Sequence, residues 1–234
     1  MKKSIALICL FLGLGILNAQ ADTYNVKDFG AVGDGIHIDS EAINQAIQTA
    51  AAQGGGTVHI PAGEYACYSI RLASHIHLHL EQGATIVGAF PTETQGYDSP
   101  EPNEHTAYQD FGHSHWKNSL LWGIGLEDIT ISGPGTIYGK GLTREESRLD
   151  GVGNKAISLK DCKNVTIKDL NMLHCGHFAL LATGVDNLTV YNVKADTNRD
   201  GFDIDCCRNV RIHACSVNTP WDDAIVLKAS YALG

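Results

Sequence analysis

Basic residues are scarce in this chain. Its 234 residues include 17 Lys and Arg against 26 Asp and Glu, a formal charge of −9. So acidic a surface is unsuited to a phosphate backbone, which excludes nucleic acid as the expected partner. It does not exclude an acidic polysaccharide, because a few local cations suffice to bind sugar carboxylates. Long apolar runs are also lacking. The run over residues 5–17 is shorter than the ~20 residues of a membrane span. It follows Lys2 and Lys3 and precedes Ala19-Gln20-Ala21. A charged start, an apolar stretch and small residues at a cleavage point are the order of a secretory leader. Residues 1–21 are therefore read as a signal peptide, with an uncleaved anchor as the alternative, and residues 22–234 as the mature domain. The expectation is an exported bacterial protein, periplasmic or extracellular, monomeric, and without membrane contact once the leader is gone. Zinc-type cysteine spacing is missing as well: Cys67, Cys162, Cys175, Cys206, Cys207 and Cys215 fit no such pattern. Export permits disulfides, but their pairing is not legible from spacing.

What the chain does have is a repeat. Glu127-Asp128-Ile129-Thr130-Ile131 returns as Lys163-Asn164-Val165-Thr166-Ile167, Asp186-Asn187-Leu188-Thr189-Val190 and Arg208-Asn209-Val210-Arg211-Ile212. The second position falls at 128, 164, 187 and 209, in steps of 36, 23 and 22. The long step is one repeat plus an insertion, assigned to the polar, Gly-rich residues 139–153. Each repeat also carries an apolar pair at i and i+2: Ile157/Leu159, Leu180/Ala182, Phe202/Ile204 and Ile225/Leu227. Alternation of this kind marks a strand with those residues facing inward. Short strands recurring every 22 or 23 residues predict an all-β solenoid, a parallel β-helix rising about 4.8 Å per turn. Asn164, Asn187 and Asn209 would then stack as a ladder at a bend, where Asn tolerates unusual backbone angles.

The first half reads as the start of the solenoid, with short strands at 57–61, 69–72 and 75–80. His75, His77 and His79 are expected on one solvated strand face, where metal binding is the alternative. Residues 40–53 predict a helix with Ile43, Ala46, Ile47 and Ala50 as its apolar stripe. Asp39 or Ser40 would cap it, and Gly54-Gly55-Gly56 would end it. Such a helix covers the open core and bare strand edges at the end of a solenoid.

The apolar pairs serve as a ruler for the polar residues. Two positions before each pair stand Lys155, Phe178, Asp200 and Asp223. Three before stand Asn154, His177, Arg199 and Asp222. Asp200 and Asp223 therefore fall at the same place on adjacent turns, with backbones about 5 Å apart. Two carboxylates so placed repel, and at least one is expected to hold its proton above the usual range. The alternative is a turn rich in Asp because Asp suits turns. Lys228 falls over Asp205, where a structural salt bridge is expected. Arg199 falls beside Asp222 and is suited to clamp a sugar carboxylate. His177 is placed at the edge of the same cleft, with a structural role as the alternative.

These residues resemble the polygalacturonase-like pectinases, glycoside hydrolase family 28, which carry N-T-D, G-D-D, G-H-G and R-I-K on a right-handed parallel β-helix. Asn198-Arg199-Asp200 matches the first signature with Arg for Thr, and Trp221-Asp222-Asp223 the second with Trp for Gly. Asp28-Phe29-Gly30-Ala31-Val32-Gly33-Asp34-Gly35, with Ile60-Pro61-Ala62-Gly63-Glu64-Tyr65, is similar to the opening of the wider pectin-lyase-like superfamily. The resemblance implies hydrolysis with inversion and no cofactor or metal. Asp222 would protonate the leaving oxygen, and Asp200 and Asp223 would activate the attacking water. Arg199, Trp221 and His177 would bind a pectic substrate, galacturonan or rhamnogalacturonan, with Trp221 as a sugar platform or a packed side chain. The G-H-G and R-I-K groups would lie past Gly234, so the expectation is a truncated member with little activity alone. Two rivals remain open on the residues. One is a calcium-dependent polysaccharide lyase using Asp200, Asp203, Asp205, Asp222 and Asp223. The other is a non-catalytic carbohydrate-binding β-helix.

Overall fold

A computed structural model describes residues 22–147 and 149–234. The signal peptide read over residues 1–21 lies outside the described residues. The chain winds as a right-handed parallel β-helix, and each coil lays one strand in each of three parallel sheets. In one complete coil Phe178–Thr183 lies in the third sheet, Asp186–Tyr191 in the first and Lys194–Asp196 in the second. Asp200–Asp205 then starts the next coil directly beside Phe178–Thr183.

The apolar ruler is the register itself. Ile157 pairs with Leu180, Leu180 with Phe202 and Phe202 with Ile225. Leu159, Ala182, Ile204 and Leu227 pair likewise. Both rows are buried up to Phe202 and Ile204. Ile225 and Leu227 are exposed on the last strand, over which no other strand lies among the described residues. Stacking like on like buries each side chain against its own repeat, so the core grows with each coil.

At the second position of the first sheet's strands, Asp128, Asn164, Asn187 and Asn209 take left-handed φ angles of 56, 53, 62 and 54°. Asn187 donates from Nδ2 to Asn164 Oδ1 at 2.9 Å, and Asn164 to Asp128 Oδ1 at 2.8 Å. The ladder ends there: Asn209 donates to Asp186 Oδ1 instead, at 2.8 Å. A carboxylate on the coil below is a stronger acceptor than the amide.

The predicted helix spans Ser40–Ala52 and buries Ile43, Ala46, Ile47 and Ala50. Asp39 does not cap it; its carboxylate accepts from the Val32 and Gly33 amides at 2.7 and 3.0 Å. Ser40 Oγ accepts from the Tyr68 amide. Asn44 reaches the edge strand Ile70–Arg71 of the third sheet, donating to Ser69 O at 3.0 Å and accepting from the Arg71 amide at 2.7 Å. The helix thus satisfies backbone groups that a bare sheet edge leaves unpaired. All six described cysteines are free.

Two segments break the repeat. Residues 139–154 separate Thr136–Tyr138 from Lys155–Lys160, as the 36-residue step predicts. Residues 89–118, which carry the 3-10 turns Glu104–Tyr108 and Phe111–His113, separate Ala84–Gly88 from Ser119–Ile124. Both leave the second sheet and return to the third, so both rise over the face on which the acidic signatures lie.

Candidate active site

Asp200 opens the strand Asp200–Asp205, and Asp222 and Asp223 end the turn before Ile225–Lys228. The two coils are pinned where they cross the site: the Gly201 amide donates to Asp223 O and the Phe202 amide to Ala224 O, each at 2.9 Å. Gly201 has no alternative here. A Cβ would stand 2.2 Å from Ala224 O, well inside contact distance. Pinned in this way, Asp200, Asp222 and Asp223 bring one carboxylate oxygen each within 4.8 Å of the others.

The three environments differ. Asp200 is buried and Asp222 and Asp223 are exposed. Asp222 accepts from Arg199 Nε at 3.1 Å, and the Asp223 amide donates to its other oxygen at 3.0 Å. Arg199 also donates to Arg144 O at 3.2 Å, from the 139–154 insertion. Burial, then the charges of Asp222 and Asp203, push the Asp200 carboxyl up to about 7, while His113 and Arg199 hold it down. The sequence-based expectation placed the repulsion with Asp223. The larger causes are burial and Asp222.

A carboxyl that stays protonated in the fold costs stability once it must ionise. Between about pH 4 and pH 7 the native chain binds more protons at Asp200 than the unfolded chain does, so stability falls as pH rises through that window. Asp200→Asn is therefore expected to be more stable than the parent at pH 8, by on the order of 2–4 kcal/mol. The gain should vanish at pH 4. Chemical denaturation at the two pH values reads the difference, and a pH-independent gap would disprove the assignment.

A cleft of about 220 Å³ is lined by Arg144, Glu145, Asn198, Arg199, Trp221 and Asp222. A second of about 240 Å³ is lined by His113, Arg199, Asp200, Asp203, Asp222, Asp223, Val226 and Lys228. They share Arg199 and Asp222, so that ion pair divides one groove in two. Trp221 is 76% exposed, with the Arg144 guanidinium 5.9 Å from its ring, so it is not the packed side chain the sequence left open. A larger hollow of about 680 Å³ beside Lys160 and Leu233 lies away from the three carboxylates.

Two expectations need correction. His177 does not edge the cleft. It is fully buried beneath it, stacked on Phe178 with ring centroids 4.2 Å apart, its Nε2 3.6 Å from Asp200 Oδ2. Burial first, then Arg199, His113 and Lys155, push its imidazole down to about 3. It is a neutral ring under Asp200 and lines neither half of the groove. Lys228 pairs in register with Asp205, but its Nζ stands 3.8 Å from Asp203 instead. Asp205 is already held by the Ser230 amide and hydroxyl.

Sequence reasoning missed His113. Its Nε2 lies 3.0 Å from Asp203 Oδ2, and its ring meets Phe178 edge-on. It comes from the 89–118 segment, which has no repeat to locate it; the only signal was two histidines in Phe111-Gly112-His113-Ser114-His115. Lys155, whose place in the ruler suggested no role, is fully buried two coils below Asp200. Its Nζ donates to Asn154 Oδ1 at 2.6 Å and Asn118 Oδ1 at 3.1 Å, and burial pushes it down to about 7.

Residues 23–99 match a family model described as rhamnogalacturonase A/epimerase, pectate lyase-like, and residues 101–232 match glycosyl hydrolases family 28. A Vitis vinifera protein named "Probable polygalacturonase" is 25% identical over 92% of this chain and 46% of its own length. Plasmin and fibronectin-binding protein A of Streptococcus pneumoniae is 37% identical over 72% of this chain and 23% of its own. The chain thus spans less than half of either relative. Among solved structures, the family 28 exopolygalacturonase of Yersinia enterocolitica superposes with a TM-score of 0.71 at 20% identity, covering 89% of this chain and 45% of that one. That likeness bears on the fold. With more than half its length matched by one family model and the acidic signatures inside the matched region, the chain belongs to glycosyl hydrolases family 28, on a pectin lyase-like β-helix.

Proposed function

We propose that this chain hydrolyses α-glycosidic bonds in a pectic polysaccharide, galacturonan or rhamnogalacturonan, outside the cytoplasm after export. The observation that carries the reading is the trio Asp200, Asp222 and Asp223, one oxygen of each within 4.8 Å, with only one of them buried. Glycoside hydrolysis needs one carboxyl group that holds a proton and one that does not. In the free chain burial, then the charge of Asp222, favours the protonated form of Asp200, while Arg199 pairs with Asp222. An incoming uronate carboxylate competes for that guanidinium. Once Arg199 turns to the substrate, Asp222 loses its cation and is freed to take the proton that Asp200 held. Asp222 then protonates the leaving oxygen, and Asp200, now ionised, activates water together with Asp223. Trp221 offers its exposed face to a sugar ring, since aromatic side chains stack readily on the apolar faces of sugars.

Inversion is taken from family membership. Inverting pairs usually stand ~6.5–9.5 Å apart and retaining pairs ~5–5.5 Å, so the product decides it. NMR of the fresh product from a pectic oligosaccharide should show the inverted anomer. Calcium-dependent formation of an unsaturated, ultraviolet-absorbing product would sink hydrolysis in favour of a lyase. A second reading has one observation behind it: the streptococcal relative, named for binding plasmin and fibronectin, is more identical to this chain than the plant one. Saturable binding of pectic oligosaccharide without any release of reducing ends from the full chain would favour a binding module.

Arg199 separates these outcomes further. Arg199→Gln is expected to raise KM for uronate substrates about tenfold or more, by loss of a charge-assisted bond. Arg199 also lowers the proton affinity of Asp200, so the alkaline limb of the kcat/KM profile, where that shared proton is lost, should move to higher pH. An unchanged profile would remove Arg199 from the proton relay.

A further inference from the structure

We infer that His59, His77 and His79 form a surface site for one divalent transition-metal ion of the zinc type on the outer face of the first sheet. Outward positions on this sheet need only be polar, and its later strands fill them with Thr130, Thr166 and Thr189. Three imidazoles on two adjacent strands are more than the fold requires. His59 and His79 are direct partners in the register of Gly56–Ile60 with Ile76–Leu80. His77 lies two residues before His79, on the same face. His75, expected on this face from the sequence, sits instead at the bend with φ 62° and pairs with Asp128.

Two of the three rings converge on one atom. His77 Nε2 and His79 Nδ1 both point at Ser132 Oγ, at 2.6 and 3.3 Å. The ring centroids of His77 and His79 are 5.4 Å apart, and those of His59 and His79 are 6.1 Å apart. Two imidazoles on one tetrahedral zinc, with Zn–N near 2.0–2.1 Å, hold their centroids roughly 5 Å apart. The pair at 5.4 Å therefore needs little movement, and His59 closes by rotating away from Glu81, whose carboxylate lies 3.7 Å from its Nε2. Glu81 is then free to serve as a fourth ligand or as a partner for the outer nitrogen. Lys168 stands one coil beyond Ser132 in the same row and opposes the ion. Nitrogen donors select zinc, nickel or copper over calcium, which takes oxygen. An ion here would tie together two coils that the N-terminal helix covers.

The test is titration of the intact chain with zinc chloride in a non-chelating buffer, read by calorimetry and by histidine NMR. One ion per chain is expected, with perturbation of His59, His77 and His79 resonances. His77→Gln and His79→Gln should each raise the dissociation constant by about tenfold or more, in the range of ligand loss. His105→Gln and Asp222→Asn should leave it unchanged, and Lys168→Gln should tighten it. The inference fails if saturable binding is absent below ~1 mM, about the weakest affinity that counts as specific. It also fails if the His77→Gln/His79→Gln double variant binds as the parent does, since the ion would then sit elsewhere.

Discussion

Asp222→Asn in the full chain is expected to lower kcat on a pectic polysaccharide by ~10²–10⁴-fold, the range that a positioned general acid supplies. The amide keeps the shape of the carboxyl group but cannot give a proton. Because the lost interaction exists only at the transition state, kcat and kcat/KM should fall together while substrate binding stays close to that of the parent. Asp200→Asn is expected to lose activity over the same range for a different reason: it cannot accept the proton of the attacking water. A substrate with an activated leaving group tells the two apart. Departure of such a group needs little protonation, so Asp222→Asn should recover most of its rate while Asp200→Asn recovers none. The double variant should be only slightly worse than either single one, because residues acting as a unit are not additive. If Asp200→Asn is the variant rescued, the proton stays in catalysis where the free chain holds it, and the roles of Asp200 and Asp222 are exchanged.

Gly201→Ala is expected to remove activity as completely as loss of a carboxylate, without touching the substrate. The added methyl group would meet Ala224 O at 2.2 Å and Val217 Cγ1 at 2.6 Å. The first contact is backbone and cannot rotate away. Relief requires the coil of Asp222 and Asp223 to lift from that of Asp200, breaking the hydrogen bonds from Gly201 and Phe202. Overpacking of this kind costs about 1–3 kcal/mol. A displacement near 1 Å in the reacting groups costs about a hundredfold in rate. Denaturant midpoints and kcat on the same variant give both quantities. Full activity would show that the carboxylates tolerate a wider gap and would undo the argument from their spacing.

Much of this site is legible in the order of the residues. The ruler of apolar pairs placed Asp200 and Asp223 on adjacent coils because a solenoid converts a fixed sequence step into a fixed spatial step. The same ruler placed Lys228 over Asp205 correctly in register and still misassigned its ion pair. Register fixes backbone neighbours; a long side chain then chooses among acceptors two residues apart, and Ser230 had already taken Asp205. His177 shows the same limit, since its column was right and its exposure was not. The 89–118 segment folds over that end of the column and brings in His113, which packs against both His177 and Phe178.

The sequence by itself determined the coil period, the inward rows, the capping helix and the meeting of Asp200 with Asp222 and Asp223. Each of these depends on periodicity or on neighbours along the chain. Only the tertiary structure decided which carboxyl is pushed toward its protonated form, that Arg199 divides the cleft by pairing with Asp222, and that His113 reaches Asp203. Those outcomes depend on burial and on side-chain direction, to which two insertions that share no period with the coils add His113 and the Arg144 carbonyl.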